Sequence, residues 1–310
     1  MWVRQIPVFV QDSHADWMTS SSILTGPYSD MNNEIKWDEV EREFKEQGFL
    51  SNRNLWFCDH IRGRLNEWFT LADDLNRLGQ RIYIELTLIL PGKSALDPAS
   101  VALQLMPRCL SAFQATVILA ERGLGVEALS QVRSIFESAF WIGFIANHPQ
   151  QAIPQFRHET LRSQVGLFEA GLQLLDKMKN ENRLDVERNL AKLKIEKLKY
   201  PKPEKIEKIA ELAGFHESYF FYKKISSDAT HASLSSIHYV LLKSENDELI
   251  GHQIGPDEES SGEAIWLACR AMIISIDALQ RAASYIKYDN DLHVLDGRLN
   301  FLEETAMPQS

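Results

Sequence analysis

The segment from residue 125 to 146 constrains this chain more than any other, because it is a helix-length run with almost no polar side. Between Val132 and Ala146 only Arg133, Ser134, Glu137 and Ser138 are polar, while Val132, Ile135, Phe136, Ala139, Phe140, Trp141, Ile142, Phe144 and Ile145 cover every face. A helix that is apolar all round belongs inside a core, so other helices of the chain must surround it. Arg133 and Glu137 stand four residues apart on one face, where they can pair. An ordinary surface pair of this kind stabilises by only tenths of a kcal/mol. A buried pair is a weak stability device, so its presence here points to a site or to a fixed helix register.

Helical periods supply the surrounding elements. Trp37, Val40, Phe44 and Phe49 share one face, and a longer segment from about 54 to 78 carries Trp56, Ile61, Leu65, Trp68, Phe69 and Leu75. The β-branched run from Ile82 to Leu90 reads equally as a strand or as a buried helix continuing the one before. Asp97-Pro98 opens a helix with an acidic N-cap and proline at the first position, running to about Arg122. Further helices are predicted at about 150–180, 182–199, 204–213, 217–242 and 259–287, with a last apolar period at Leu292, Leu295, Leu299 and Leu302. The fold class read from this pattern is all-α: a multi-helix bundle over 97–288, a helical and irregular N-terminal extension over 1–96, and an acidic C-terminal tail over 289–310. The 15 Gly and 11 Pro in 310 residues are too few for a turn-rich all-β chain.

With 33 Lys+Arg against 43 Asp+Glu, the formal charge is −10, which argues against a broad polyphosphate-binding surface and leaves room for a local basic site. The Lys-rich run between Asp176 and Glu211 is matched by nearly as many acids and reads as a solvated helical arm. Cys58, Cys109 and Cys269 make neither a disulfide framework nor a CxxC metal pattern, so a reducing cytoplasm is expected. The start, from Met1 to Pro7, lacks the pattern of a signal peptide. Glu137, Arg270 and Asp277 interrupt the most apolar windows, so no membrane span is expected. Walker, GxGxxG, kinase and hydrolase signatures are absent, and no cofactor is expected.

A second polar cluster runs from Tyr222 to His231. Ser227 and His231 are spaced i,i+4, and His238 falls seven residues beyond on nearly the same face. The plain reading is a histidine satisfied inside the bundle. The chemical reading is acid–base or nucleophilic work by an imidazole beside a hydroxyl, although no nucleophile-elbow glycines flank Ser227. Spacing also permits a metal site from His231, His238 and Glu137, without any His-Glu-x-x-His pattern to support it.

The run Leu119-Ala120-Glu121-Arg122-Gly123-Leu124, then Glu127-Ala128-Leu129, then Val132 to Ala139, resembles a bacterial family, domain of unknown function number 5677. The segment from Tyr222 through Ser227-Asp228-Ala229-Thr230-His231-Ala232-Ser233 resembles that family's second motif. The likeness spans about 97–287 and implies that Arg133, Glu137, Ser227 and His231 converge on one internal polar site. The arrangement is also loosely similar to the HEPN superfamily of bundle ribonucleases and toxins, whose signature is Arg, four to six residues, then His. Only Lys224 falls at a permitted spacing before His231, whereas Arg53-Asn54-Leu55-Trp56-Phe57-Cys58-Asp59-His60 fits the signature.

Two functional expectations follow. The first is a metal-independent ribonuclease or toxin-type effector in stress or phage defence, acting on RNA as a homodimer. In it His231 or His60 serves as acid–base, Arg133 or Arg53 binds phosphate and Glu137 orients a partner. The second is a non-catalytic interaction module, in which the polar cluster fixes helix register and the aromatic-rich extension contacts a protein partner or a second copy. Under the first, Arg133 or Glu137 should reach Ser227 or His231, and His60 should be exposed in a cleft rather than buried against Trp56 and Trp68.

Overall fold

The computed structural model describes residues 46–48, 55–90, 94–178, 183–228, 241–243, 249–252 and 256–306. The N-cap predicted at Asp97 starts a helix, α3 (Pro98–Glu121), its carboxylate accepting from the N–H groups of Ala99 at 3.1 Å and Ser100 at 3.4 Å. Among the described residues α1 (Leu55–Arg64) and α2 (Asn66–Ile89) precede it. The ambiguous run from Ile82 to Leu90 is the C-terminal part of α2: Leu75, Leu78, Ile82 and Leu86 are buried at helical spacing. Glycine at 123, with φ of 76°, turns the chain into α4 (Gly125–Asn147).

The apolar α4 is the centre of the molecule. It packs against α3 and against α9 (Glu258–Ala283), and these two also pack on each other. Here backbones nearly touch. A Cβ on Gly125 would stand 2.1 Å from the Ser260 Oγ and 2.4 Å from the Ser261 nitrogen. The Gly123 carbonyl accepts from the Asp257 N–H at 3.0 Å, so the α3–α4 turn is fastened to the start of α9. Phe136, Phe140 and Phe144 are fully buried, and with their neighbours they fill the bundle.

Around this trio, α2 lies on α3 and α9. The short α7 (Ile206–Leu212) and α8 (His216–Asp228) close the remaining face of α4, while α10 (Asp289–Ala306) packs on α2 and α9. Position 96 is therefore no packing boundary: Phe69, Leu71, Leu75, Ile82 and Leu86 of α2 belong to the same core as α3, α4 and α9. The acidic C-terminal stretch is likewise part of the bundle, seated through Leu292, Leu299 and Leu302.

From the end of α4, α5 (Pro149–Met178) and α6 (Arg183–Lys197) form the arm. The beginning of α5 is anchored by Phe156 edge-on to Trp141, ring centroids 5.1 Å apart. His158 and Gln155 hold the connection after α6: the His158 Nδ1 lies 3.0 Å from the Tyr200 carbonyl, and the Gln155 side chain accepts from the Glu204 N–H at 2.9 Å.

The all-α reading holds, with two differences. The described part of the helix predicted over 217–242 is α8 (His216–Asp228), whereas residues 241 and 242, at its predicted end, belong to a small antiparallel pair: β1 (Leu241–Lys243) against β2 (Leu249–His252), with Leu241 opposite His252. Among the described residues one helix, α3, is long and apolar enough to cross a membrane, and half of that window is buried in the bundle.

Candidate functional site

Arg133 faces α8 from α4. Its Nε donates to the Ser226 Oγ at 2.9 Å and its Nη2 to the Tyr222 hydroxyl at 2.9 Å, while its Nη1 lies 3.6 Å from the Glu137 carboxylate. The guanidinium carbon also sits 5.1 Å from the centre of the Tyr222 ring, a cation–π distance. Ser226 completes the ring of contacts by donating to the Tyr222 carbonyl at 2.7 Å. Tyr222 is buried, edge-on to Phe140 and stacked on Tyr219. Burial, reinforced by the charge of Glu137 and opposed by Arg133, pushes its phenol pKa up.

Arg133 therefore meets α8 through Tyr222 and Ser226, with Glu137 beside it on α4. Ser227 is exposed. The reason is helical geometry: Tyr222 and Ser226, one turn apart, share the face toward α4, and the next residue points about 100° away. Arg133 and Glu137 are partly exposed, at 26% and 38% of their side chains, so this is a half-wet pair at an interface between helices. His231, His238 and Arg53 lie outside the described residues.

His60 belongs to a separate cluster at the start of the bundle. Its Nε2 lies 3.3 Å from one oxygen of Glu258, and the Arg64 Nε lies 3.2 Å from the other. Beside them Arg62 pairs with Glu121 at 2.9 Å and lies 3.6 Å from Asp73, its guanidinium over the Phe69 ring. His60 keeps 37% of its side chain in solvent and packs near Phe57, ring centroids 5.8 Å apart. It is thus a surface imidazole held by a carboxylate. Cys58, nearby on α1, has its thiol pKa raised by burial.

The strongest electrostatic site was not indicated by sequence spacing. Glu85, near the end of α2, accepts from Lys287 at 2.7 Å and from the hydroxyls of Tyr285 and Tyr288. These hydrogen bonds, led by that from Lys287, hold its carboxyl down to about 2. A similar fastener joins α9 to α10, where Glu303 accepts from the Trp266 indole at 2.7 Å and from Arg270. Partners some 200 residues apart leave no local signature; the only sequence hint is the Tyr285–Tyr288 pairing around a lysine. Among the described residues no three His, Cys, Asp or Glu side chains gather as metal ligands.

No curated protein and no solved structure matches the chain. The match to a family model is shorter than the expected 97–287 and leaves out α9. Residues 99–249, from α3 into β2, match the model of a family of unknown function (DUF5677).

Proposed function

We propose that this protein is a helical interaction module, whose polar clusters fasten helices to one another and whose α5–α6 arm presents the docking surface. The arm's second apolar stripe carries the reading. Leu167 and Leu174 of α5, with Leu184, Ile195 and Leu198 on and just after α6, are between 58% and 82% exposed, although α5 already buries Leu161 and Val165 and α6 buries Leu190. Contiguous exposed apolar surface of this kind marks an interaction site. The state of Arg133 supports the same reading, since its donors are engaged by Tyr222, Ser226 and Glu137 within the fold. The burial of Cys109 and Cys269 accords with a reducing compartment.

The test is photocrosslinking in the cell that natively produces the protein, with p-benzoylphenylalanine placed at position 195 and, as a control, at the inward-facing position 193. A discrete adduct from 195 and none from 193 is the expected result. Absence of any adduct from 195 would overturn the docking reading.

A second reading, metal-independent RNA cleavage by a toxin-type effector of the HEPN kind, draws its support from His60. A part-exposed imidazole paired with Glu258 and flanked by Arg64 has the elements of acid–base chemistry beside a phosphate-binding cation. Chelator-resistant cleavage of tRNA that His60→Ala abolishes would establish it.

A further inference from the structure

We infer that the outer face of the arm pairs with the same face of a second copy of this chain, α6 against α6 in antiparallel orientation. This inference rests on reading the arm as a docking surface, and adds the identity and geometry of the partner. It begins with the pattern of α6. Val186, Leu190 and Leu193 turn toward α5, with Leu190 buried. On the opposite side, Leu184, Arg188, Ala191 and Ile195 recur at spacings of four, three and four, and all four are exposed. Such spacing is the seam of a coiled coil, which a facing helix covers by knobs-into-holes packing. A helix with apolar rows on two opposite sides is one made to lie between two layers, and the chain supplies only one of them. The same doubling appears on α5, where Leu161 and Val165 are buried while Leu167, Ala170 and Leu174 face outward.

The flanking charges choose the occupant. Beside the outer seam, the first half of α6 carries Asp185 and Glu187 and the second half carries Lys192 and Lys194. Two antiparallel copies therefore place the acidic half of each against the basic half of the other, Glu187 toward Lys194 and Asp185 toward Lys192, each pair occurring twice about the two-fold axis. A parallel pair would keep only one such contact on each side, Glu187 toward Lys192, and leave Lys194 without an acidic partner. Antiparallel registry also sets Arg188 opposite the small Ala191, where its long side chain has room. Three of these charges now have partners at the surface of their own chain: Glu187 with Arg183 at 2.8 Å, Asp185 with Arg188 at 3.3 Å and Lys194 with Glu169 at 2.7 Å. Exposed pairs of this sort are weak and exchangeable.

The experiment is sedimentation velocity of the full chain from micromolar concentrations to about 100 µM. The wild type is expected to run as a concentration-dependent dimer, and Ile195→Glu as a monomer with unchanged helical circular dichroism. Glu187→Lys alone and Lys194→Glu alone should each weaken association about tenfold or more through like-charge contacts. The double variant, and an equimolar mixture of the two single variants, should regain it, because only antiparallel pairing restores both contacts. A wild type that stays monomeric throughout, or a double variant weaker than either single one, overturns the inference. If the crosslink from position 195 then forms with a different protein, the docking reading survives and only the second copy is lost; if no crosslink forms, both fall.

Discussion

At the scale of the residue, Arg133 shows how one side chain joins two helices. Its guanidinium bonds Ser226 and Tyr222 in two directions and keeps Glu137 close, a fork that a lysine ammonium cannot reproduce. Arg133→Ala is therefore expected to lower unfolding free energy in urea by about 1–3 kcal/mol, since it strands hydroxyls at a partly buried interface. Ser226→Ala should cost about 1 kcal/mol and Ser227→Ala less than about 0.5 kcal/mol. Equal effects at the two serines would contradict this geometry. The importance of Arg133 and Glu137 was legible in the sequence, because they interrupt an otherwise apolar helix. Ser226 was not, because neighbouring serines differ only in the rotation that packing selects. Tyr222 was within sight as part of the same motif, and its i,i+4 relation to Ser226 was the available signal.

At the scale of the element, helix boundaries with local causes were readable and those with distant causes were not. Asp97-Pro98 specified the start of α3 by capping alone. The run from Ile82 to Leu90 took its identity from the burial of Ile82 and Leu86 against the bundle, which outweighs the strand preference of its β-branched residues. The pairing of β1 with β2 joins Leu241 to His252, a contact no helical period announces. The Glu85 cluster ties the end of α2 to the connection between α9 and α10, and its effect on stability has a definite sign. A carboxyl whose folded pKa is lowered, here to about 2, contributes stability that is present above its unfolded value of about 4.3 and is lost as pH falls through the folded one. Glu85→Gln should therefore lower thermal stability at neutral pH and flatten its acid dependence between those two values. An acid limb identical to that of the wild type would contradict the cluster's role.

At the scale of the whole molecule, a stable bundle carries a thinly buried arm. The trio of α3, α4 and α9 encloses fully buried aromatic and aliphatic side chains, whereas α6 buries Leu190 alone among its residues. The sequence displayed the arm as a solvated, charge-balanced run, whose charges hide the spacing of Leu184, Ala191 and Ile195. That spacing defines an outer face because the buried Leu190 faces the other way. A lone helix of this length is marginal in water, and segments with so little buried surface open at low free energy. The most direct measurement of the central claim, that the outer face of the arm is a docking surface, is amide hydrogen exchange along α6 at low and high protein concentration. The α6 amides are expected to exchange rapidly when dilute and to become protected as the outer stripe is covered, while α4 stays protected throughout. Exchange of α6 that is fast and the same at every concentration, in the purified protein and after addition of extract from its native cell, would contradict it.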